Sequence, residues 1–350
     1  MLKPVYTEPD NCQDCYKCIR ECPVKAIKVE GNKASIIEER CIYCGHCTQV
    51  CPTGAKKIRD GLTRARMVIE RYPGKVYLSL APSCISEFGA ETSTALISSN
   101  KRLGFAGVSE TALGAEIVSS ATEDFFVDAK NGVYISSACP VVVEYIRKYA
   151  VGHLPGIVPI VSPMIAHAKL LKELYGDDIK IIFAGPCVGK KSESDECPEL
   201  IDVAITFRDL REWLDSDGAV AEEPSPDLSE GAFIPFTSRR GALYPVEGGM
   251  LAGMKTGSTA VRSMSFSDLE TVREVLESLD PAQMDYTLFL ELLACRGGWI
   301  NGPARLCQTS PALNRNRVME RGLDGEAVKD CDRLDISMTV VADPPNEAHH

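Results

Sequence analysis

The first sixty residues of the chain carry one cysteine pattern twice. Cys12, Cys15, Cys18 and Cys22-Pro23 form C-x2-C-x2-C-x3-C-P, and Cys41, Cys44, Cys47 and Cys51-Pro52 repeat it. Two-residue gaps let three thiolates converge on one bulky metal group, and the proline after each fourth cysteine turns the chain away from it. A segment so rich in cysteine and so poor in large apolar side chains folds around metal rather than around a core of its own. The pattern points to two [4Fe-4S] cubes. Zinc is the alternative, but paired CxxC zinc sites need neither the third cysteine nor the Cys-Pro ending.

Composition narrows the setting. The 350 residues can bury a sizeable core and suggest a small module followed by a larger one. A net charge of −11 argues against nucleic acid or an anionic membrane as partner, since both need clustered Lys and Arg. The stretch Met1 to Asn11 has no apolar signal region, and no run approaches the roughly 20 apolar residues of a membrane span. A soluble, cytoplasmic protein with reduced thiols is expected, not one stapled by disulfides.

The doubled run resembles that of the bacterial two-cluster ferredoxins, in which the fourth cysteine crosses to the other cube. That resemblance assigns Cys12, Cys15, Cys18 and Cys51 to one cube, and Cys41, Cys44, Cys47 and Cys22 to the other. Ala26-Ile27-Lys28-Val29 and Ala55-Lys56-Lys57-Ile58 follow the two runs and are expected to cover the cubes in a pseudo-twofold arrangement. Glu30-Gly31-Asn32-Lys33 reads as a hairpin turn, and 60–74 as a connecting helix closed by Pro73-Gly74. His46 reads as a solvated neighbour of the second run.

Beyond residue 75 apolar or β-branched runs at 76–80, 133–135, 157–161, 179–184 and 203–206 alternate with amphipathic stretches at 92–101, 112–124, 140–149 and 163–175. Strands alternating with helices imply a mainly parallel sheet covered on both faces. The proline- and acid-rich stretch 221–231 reads as a loop, 267–279 as a capped helix and 286–293 as a buried strand. The expected organisation is a ferredoxin-type domain over 1–60, a linker helix over 61–74, an α/β domain over 75–310, and a tail over 311–350 whose pattern is weak.

Three further cysteines stand at ends of expected strands, where open α/β folds place their sites: Cys139 in Ser136-Ser137-Ala138-Cys139-Pro140, Cys187 in Gly185-Pro186-Cys187-Val188-Gly189-Lys190-Lys191-Ser192-Glu193, and Cys295 in Ala294-Cys295-Arg296-Gly297-Gly298-Trp299-Ile300-Asn301-Gly302. One such cysteine is ordinarily a small buried hydrophobe. Together they resemble the three signatures of the iron-only ([FeFe]) hydrogenase catalytic domain, Thr-Ser-Cys-Cys-Pro, Pro-Cys-x-x-Lys-Lys-x-Glu and Ala-Cys-x-Gly-Gly-Cys-x-x-Gly, in the same order. Ala81-Pro82-Ser83, Leu103-Gly104-Phe105, Ser162-Pro163 and Gly248-Gly249-Met250 add to the likeness, which covers roughly 5–305. It implies two α/β lobes around a third [4Fe-4S] cube bound by Cys139, Cys187 and Cys295.

Departures from that family shape the expected function. Where the family has a cysteine that binds the cube and bridges to a diiron unit, this chain has Trp299, and the family's proton-relay cysteine is Ala138 here. The acidic pair that the family carries is absent from 115–122. Lys190 and Glu193 match family residues that face the diiron unit and its proton path; the plainer reading is that Lys190 offsets cube charge and Glu193 partners a lysine. Trp299 and Ser83 are expected to line the vacated pocket. A third cube needs a fourth ligand, for which Cys84 leads and Cys307 follows, with a water-derived ligand, a small substrate or another side chain as alternatives. Cys197 and Cys331 read as surface thiols, and His153 and His167 as structural.

The resemblance to the sensory and orphan branch of the hydrogenases implies an electron-transfer or redox-sensing protein with three cubes and no diiron subcluster. Its partner would be a redox protein such as ferredoxin, or a signalling protein, since no output module follows in this sequence. A ferredoxin-linked reductase of a small molecule and an iron–sulfur assembly factor are the competing readings, and hydrogen turnover ranks last.

Overall fold

A computed structural model gives the architecture and describes residues 3–89, 93–218, 232–254, 261–280, 284–306, 310–323 and 337–338. The expected loop at 221–231, Cys307 and Cys331 lie outside the described residues.

The N-terminal part holds two antiparallel ribbons. β1 (Val5–Thr7) pairs with β4 (Lys56–Ile58), and β2 (Ile27–Glu30) pairs with β3 (Lys33–Ile36) through the expected turn. Gly31 and Asn32 there have φ of 54° and 57°, the left-handed pair that a tight hairpin requires. A helix, Leu62–Arg71, leads out of this part and buries Leu62 and Ala65. Arg59 grips Asp195 with two bonds of 2.7 and 2.9 Å, a bidentate geometry that ties the strand end to the larger part.

The larger part contains two parallel sheets. β5 (Val76–Leu80), β6 (Gly107–Glu110), β8 (Lys180–Gly185) and β9 (Val203–Thr206) run in the order β6-β5-β8-β9. β7 (Gly132–Ile135), β10 (Val261–Ser267) and β11 (Thr287–Leu293) run in the order β10-β11-β7. Val76, Leu78 and Leu80 are fully buried, and every residue of β11 is buried. Strands with helices on both faces have no wet side, so they read as continuous apolar runs rather than alternating ones. Each such side chain contributes roughly 1.5–3 kcal/mol of transfer free energy.

Four expected helices stand within a few residues of their predicted limits, at Ser93–Arg102, Ala112–Val127, Pro140–Tyr149 and Pro163–Tyr175. The run at 157–161 is not a regular strand. It makes single bridges, Ile135 to Ile157 and Ile160 to Ser337, because Pro155 and Pro159 interrupt the ladder donors around it. The segment 311–350, expected to be a weakly patterned tail, begins with a helix, Pro311–Leu323, whose Arg321 reaches buried Glu110 at 3.0 Å.

Candidate metal centres

The doubled sequence run is doubled in backbone conformation. Asp14 and Tyr43 (φ 52° and 51°), Tyr16 and Gly45 (57° and 77°), and Lys25 and Gly54 (51° and 65°) occupy equivalent positions, all left-handed. Successive reversals of this kind curl each loop so that its amides face inward. Ala26 N donates to Cys22 Sγ at 3.3 Å, Tyr43 N to Cys41 Sγ at 3.4 Å, and Ala34 N to Cys12 Sγ at 3.5 Å.

Two small hollows result. One is lined by Cys12, Cys15, Cys18 and Cys51, the other by Cys22, Cys41, Cys44 and Cys47. The fourth cysteine of each run therefore crosses to the partner loop. Electrostatics report the same grouping: Cys12, Cys15 and Cys51 all raise the pKa of Cys18, while Cys22 raises those of Cys41, Cys44 and Cys47. Burial is the largest cause at Cys44, whose pKa is pushed up to about 12. At Cys12 the Ala34 and Asp14 amides dominate and hold the thiol below its usual value. Crowded thiolates such as the buried ones of the second hollow are stabilised by a strongly cationic group, which is what an iron–sulfur core supplies.

Lys56, expected from the sequence only as part of the segment that covers the cubes, is 3% exposed and donates to Ala34 O at 3.1 Å. Its charge lowers the pKa of Cys12, Cys18 and Cys47, so it acts on both hollows. The alternation of a strand cannot distinguish such a cation from a solvated one; only the position of the two loops around it does.

The third group is assembled from distant elements. Cys139 follows β7 and starts the helix Pro140–Tyr149, Cys187 follows β8, and Cys295 follows β11, so the group lies where the ends of the two sheets meet. Burial first, and then the mutual charges of the group, push Cys187 up to about 11 and Cys295 well above its usual value. Cys44 also acts on Cys295, which sets the second hollow beside the third group. The helix that starts at Cys139 ends on the same loop: Lys148 Nζ donates to Cys41 O at 3.0 Å and Tyr149 Oη to Arg40 O at 2.6 Å. Gly298 has φ 105°, and a Cβ there would meet Pro245 O at 2.3 Å, so only glycine lets the Cys295 loop pack this closely.

Trp299 and Ser83 line an enclosed, almost wholly apolar cavity of about 40 Å³ together with Cys187, Lys190 and Tyr244. The Trp299 ring centroid is 6.3 Å from that of Tyr244, and its buried Nε1 has no hydrogen-bond partner among the described residues, a deficit of about 1–3 kcal/mol. Lys190 Nζ donates to Ser162 Oγ at 2.8 Å and to Glu193 Oε2 at 2.7 Å, and its charge lowers the pKa of Cys187. The lysine–glutamate pair is thus a closed ion pair beside the thiol. Cys84 opens the short helix Cys84–Phe88 and is not among the described residues lining the Trp299 cavity. Burial pushes its pKa up to about 12, and its charged neighbours are Glu110 and Arg321. His167 is buried between Ser79 and Ser109 hydroxyls at 2.8 Å each, and His153 bonds Leu276 O, both structural arrangements.

Two thiol-lined hollows coupled to a third cysteine group between parallel sheets define an iron–sulfur redox protein. The comparisons with known proteins agree. Residues 74–303 match the family model of the iron only hydrogenase large subunit, C-terminal domain, and residues 4–52 match the 4Fe-4S dicluster domain. The chain belongs to the iron-only hydrogenase large-subunit family and carries a two-cluster ferredoxin domain ahead of the family domain. It is 20% identical to the NADP-reducing hydrogenase subunit HndD of Solidesulfovibrio fructosivorans over 85% of this chain, and spans 64% of that protein's length. An uncharacterized ferredoxin of Methanocaldococcus jannaschii is 41% identical over 13% of this chain and 74% of its own. In fold it is similar to a variant of the [FeFe]-hydrogenase HydA1 from Chlamydomonas reinhardtii, with a TM-score of 0.54, 17% identity, and coverage of 74% of this chain and 88% of that one. No helix among the described residues is long and apolar enough to cross a membrane.

Proposed function

We propose that this protein is an electron-transfer or redox-sensing member of the family, with three [4Fe-4S] cubes and no diiron subcluster. The observation that carries the reading is Trp299, an indole lining a cavity in which Cys187 is the only thiol among the described lining residues. Cys12, Cys15, Cys18 and Cys51 hold the first cube, Cys22, Cys41, Cys44 and Cys47 the second, and Cys139, Cys187 and Cys295 the third. The fourth ligand of the third cube comes from outside these residues, and the surroundings of Cys84 weigh against it. We assign the cluster module to 1–60, the linker to 61–74 and the larger domain to 75–310.

Bound cubes supply reversible one-electron chemistry. The chain's own residues do the rest. Inward amides and Lys56 stabilise thiolates in the module, and Cys139 of the third group is buried while Cys295 borders an open cleft. Cys44 next to Cys295 makes the second cube the donor or acceptor for the third, while the first faces a redox partner. Lys190 offsets thiolate charge at Cys187 and is held there by Glu193.

The test is made on anaerobically prepared protein. About twelve irons per chain are expected from three cubes, with no infrared bands of iron-bound carbonyl or cyanide, and with no hydrogen evolution from a strong reductant even after exposure to hydrogenase maturation factors. About eight irons with Cys139, Cys187 and Cys295 open to alkylation would remove the third cube, and hydrogen turnover at ordinary enzyme rates would restore the hydrogenase reading.

A further inference from the structure

An open cleft of about 1020 Å³ runs along the join between the cluster module and the larger domain. Cys22 and Cys44 of the second thiol group lie on it, and so does Cys295 of the third. On the reading above, the third cube takes the part of this space beside Cys295. The remainder is flanked by Arg20, Lys25, Arg273, Arg296 and Arg305, against the carboxylates Glu21, Asp268 and Glu270.

That balance runs against the composition of the chain, which has 49 acidic and 38 basic residues. With acids in such excess, cations near one another are expected to find carboxylates. Among the described residues, four of the five form no ion pair: Arg20, Lys25, Arg296 and Arg305. Lys25 and Arg305 bond neutral oxygens of Arg20 and Asn301 at 2.8 and 2.6 Å, and Arg273 alone bridges a carboxylate, Glu277 at 3.8 Å. Pro23, Tyr145, Leu269 and Pro303 give the same cleft apolar faces. The whole cleft slightly exceeds the range of small-molecule sites, so space for one remains beside the cube, and unpaired guanidinium groups select phosphate or carboxylate.

We propose that the cleft binds an anionic, planar redox compound of nucleotide size, of the flavin mononucleotide class, between the second and third thiol groups. The proposal rests on the reading of Cys22, Cys44 and Cys295 as cluster ligands. The anionic end meets the arginines and the ring lies on the apolar faces, close to both cubes. The simpler role for these cations is to offset the negative charge of the cubes, and the two roles predict different outcomes.

The experiment uses the iron-loaded, full-length protein, with iron content measured first so that loss of cubes is seen separately from loss of binding. Flavin mononucleotide and riboflavin are titrated by quenching of flavin fluorescence. Saturable binding of flavin mononucleotide is expected, at least about tenfold tighter than that of riboflavin, because a charge-assisted bond to phosphate is worth that factor. Arg296→Gln and Arg273→Gln should each weaken flavin mononucleotide by about tenfold, leave riboflavin unchanged, and leave iron content and cluster absorbance at the wild-type level. No binding to fully loaded protein, equal affinity for the two flavins, or affinity untouched by both substitutions would overturn the proposal. So would Arg296-dependent capture of an acidic ferredoxin without flavin binding, which would make the cleft a protein-docking face.

Discussion

On the proposed reading, the cluster module and the group formed by Cys139, Cys187 and Cys295 arrange thiols for the same chemistry by opposite means. In the module, four-cysteine hollows come from residues 12–51, curled by three pairs of left-handed positions and fed by nearby amides. The third group draws on three strand ends in two different sheets, and its members approach one another only when those sheets meet. Local sequence suffices to build the first arrangement, whereas the second inherits its geometry from the packing of the whole larger domain.

The largest expected effects come from removing single thiols. Cys41→Ala should abolish the second cube and leave the others, while Cys187→Ala should abolish only the third, each read as one missing electron paramagnetic resonance signal and about four fewer irons. Loss of all signals from Cys187→Ala would show that the module cannot form without the third group, and would break the comparison.

Acid should strike the larger domain through His167. Burial holds its pKa down at about 3, against 6.5 in the unfolded chain, so the unfolded state binds the extra proton first. The associated stability is fully present above pH 6.5 and is lost as pH falls towards 3, by up to about 1.4 kcal/mol per pH unit. Thermal melts from pH 7 to 4 should steepen accordingly, and His167→Gln should flatten that limb without altering cluster signals of the module. An equally steep limb in the variant would exclude His167 as its source.

Gly45 joins the two regions. It has φ 77°, and a Cβ would stand 2.7 Å from Pro303, so Gly45→Ala carries both a left-handed penalty and a clash. A cost of about 2 kcal/mol or more is expected, seen as a lower melting temperature and slower electron passage from module to third cube. A smaller change is expected of Lys56→Met. Removing a buried cation that acts on both hollows should shift the first two reduction potentials negative in redox titration, by tens of millivolts, and leave the third unmoved. Shifts confined to one cube would contradict its position between them.

Legibility in the sequence follows the same division. The crossing of Cys22 and Cys51 is foreshadowed by the ferredoxin-like spacing, and Val203–Thr206 and the long helices announce themselves as uninterrupted apolar or amphipathic runs. β10 is missed because Arg262, Ser263 and Met264 are exposed on an edge strand and carry no buried periodicity. The run 157–161 misleads because apolar content alone cannot report prolines breaking a ladder. Ser83 lines the Trp299 cavity while Cys84, the next residue, opens a short helix, a change of direction that sequence proximity does not report. The Lys56 and Arg-lined environments belong to tertiary packing and leave only scattered charges in the sequence, whereas the ion pair of Lys190 with Glu193 spans one helical turn and is legible from the spacing.

The central claim is that Trp299 closes the place of a diiron unit while a third cube persists beside it. An anomalous iron map from crystals of anaerobically prepared protein tests this directly. The account predicts three compact four-iron peaks, the third in contact with Cys139, Cys187 and Cys295, with indole density and no iron in the cavity between Ser83 and Trp299. A two-iron peak in that cavity, or the absence of iron at the three cysteines, would contradict it.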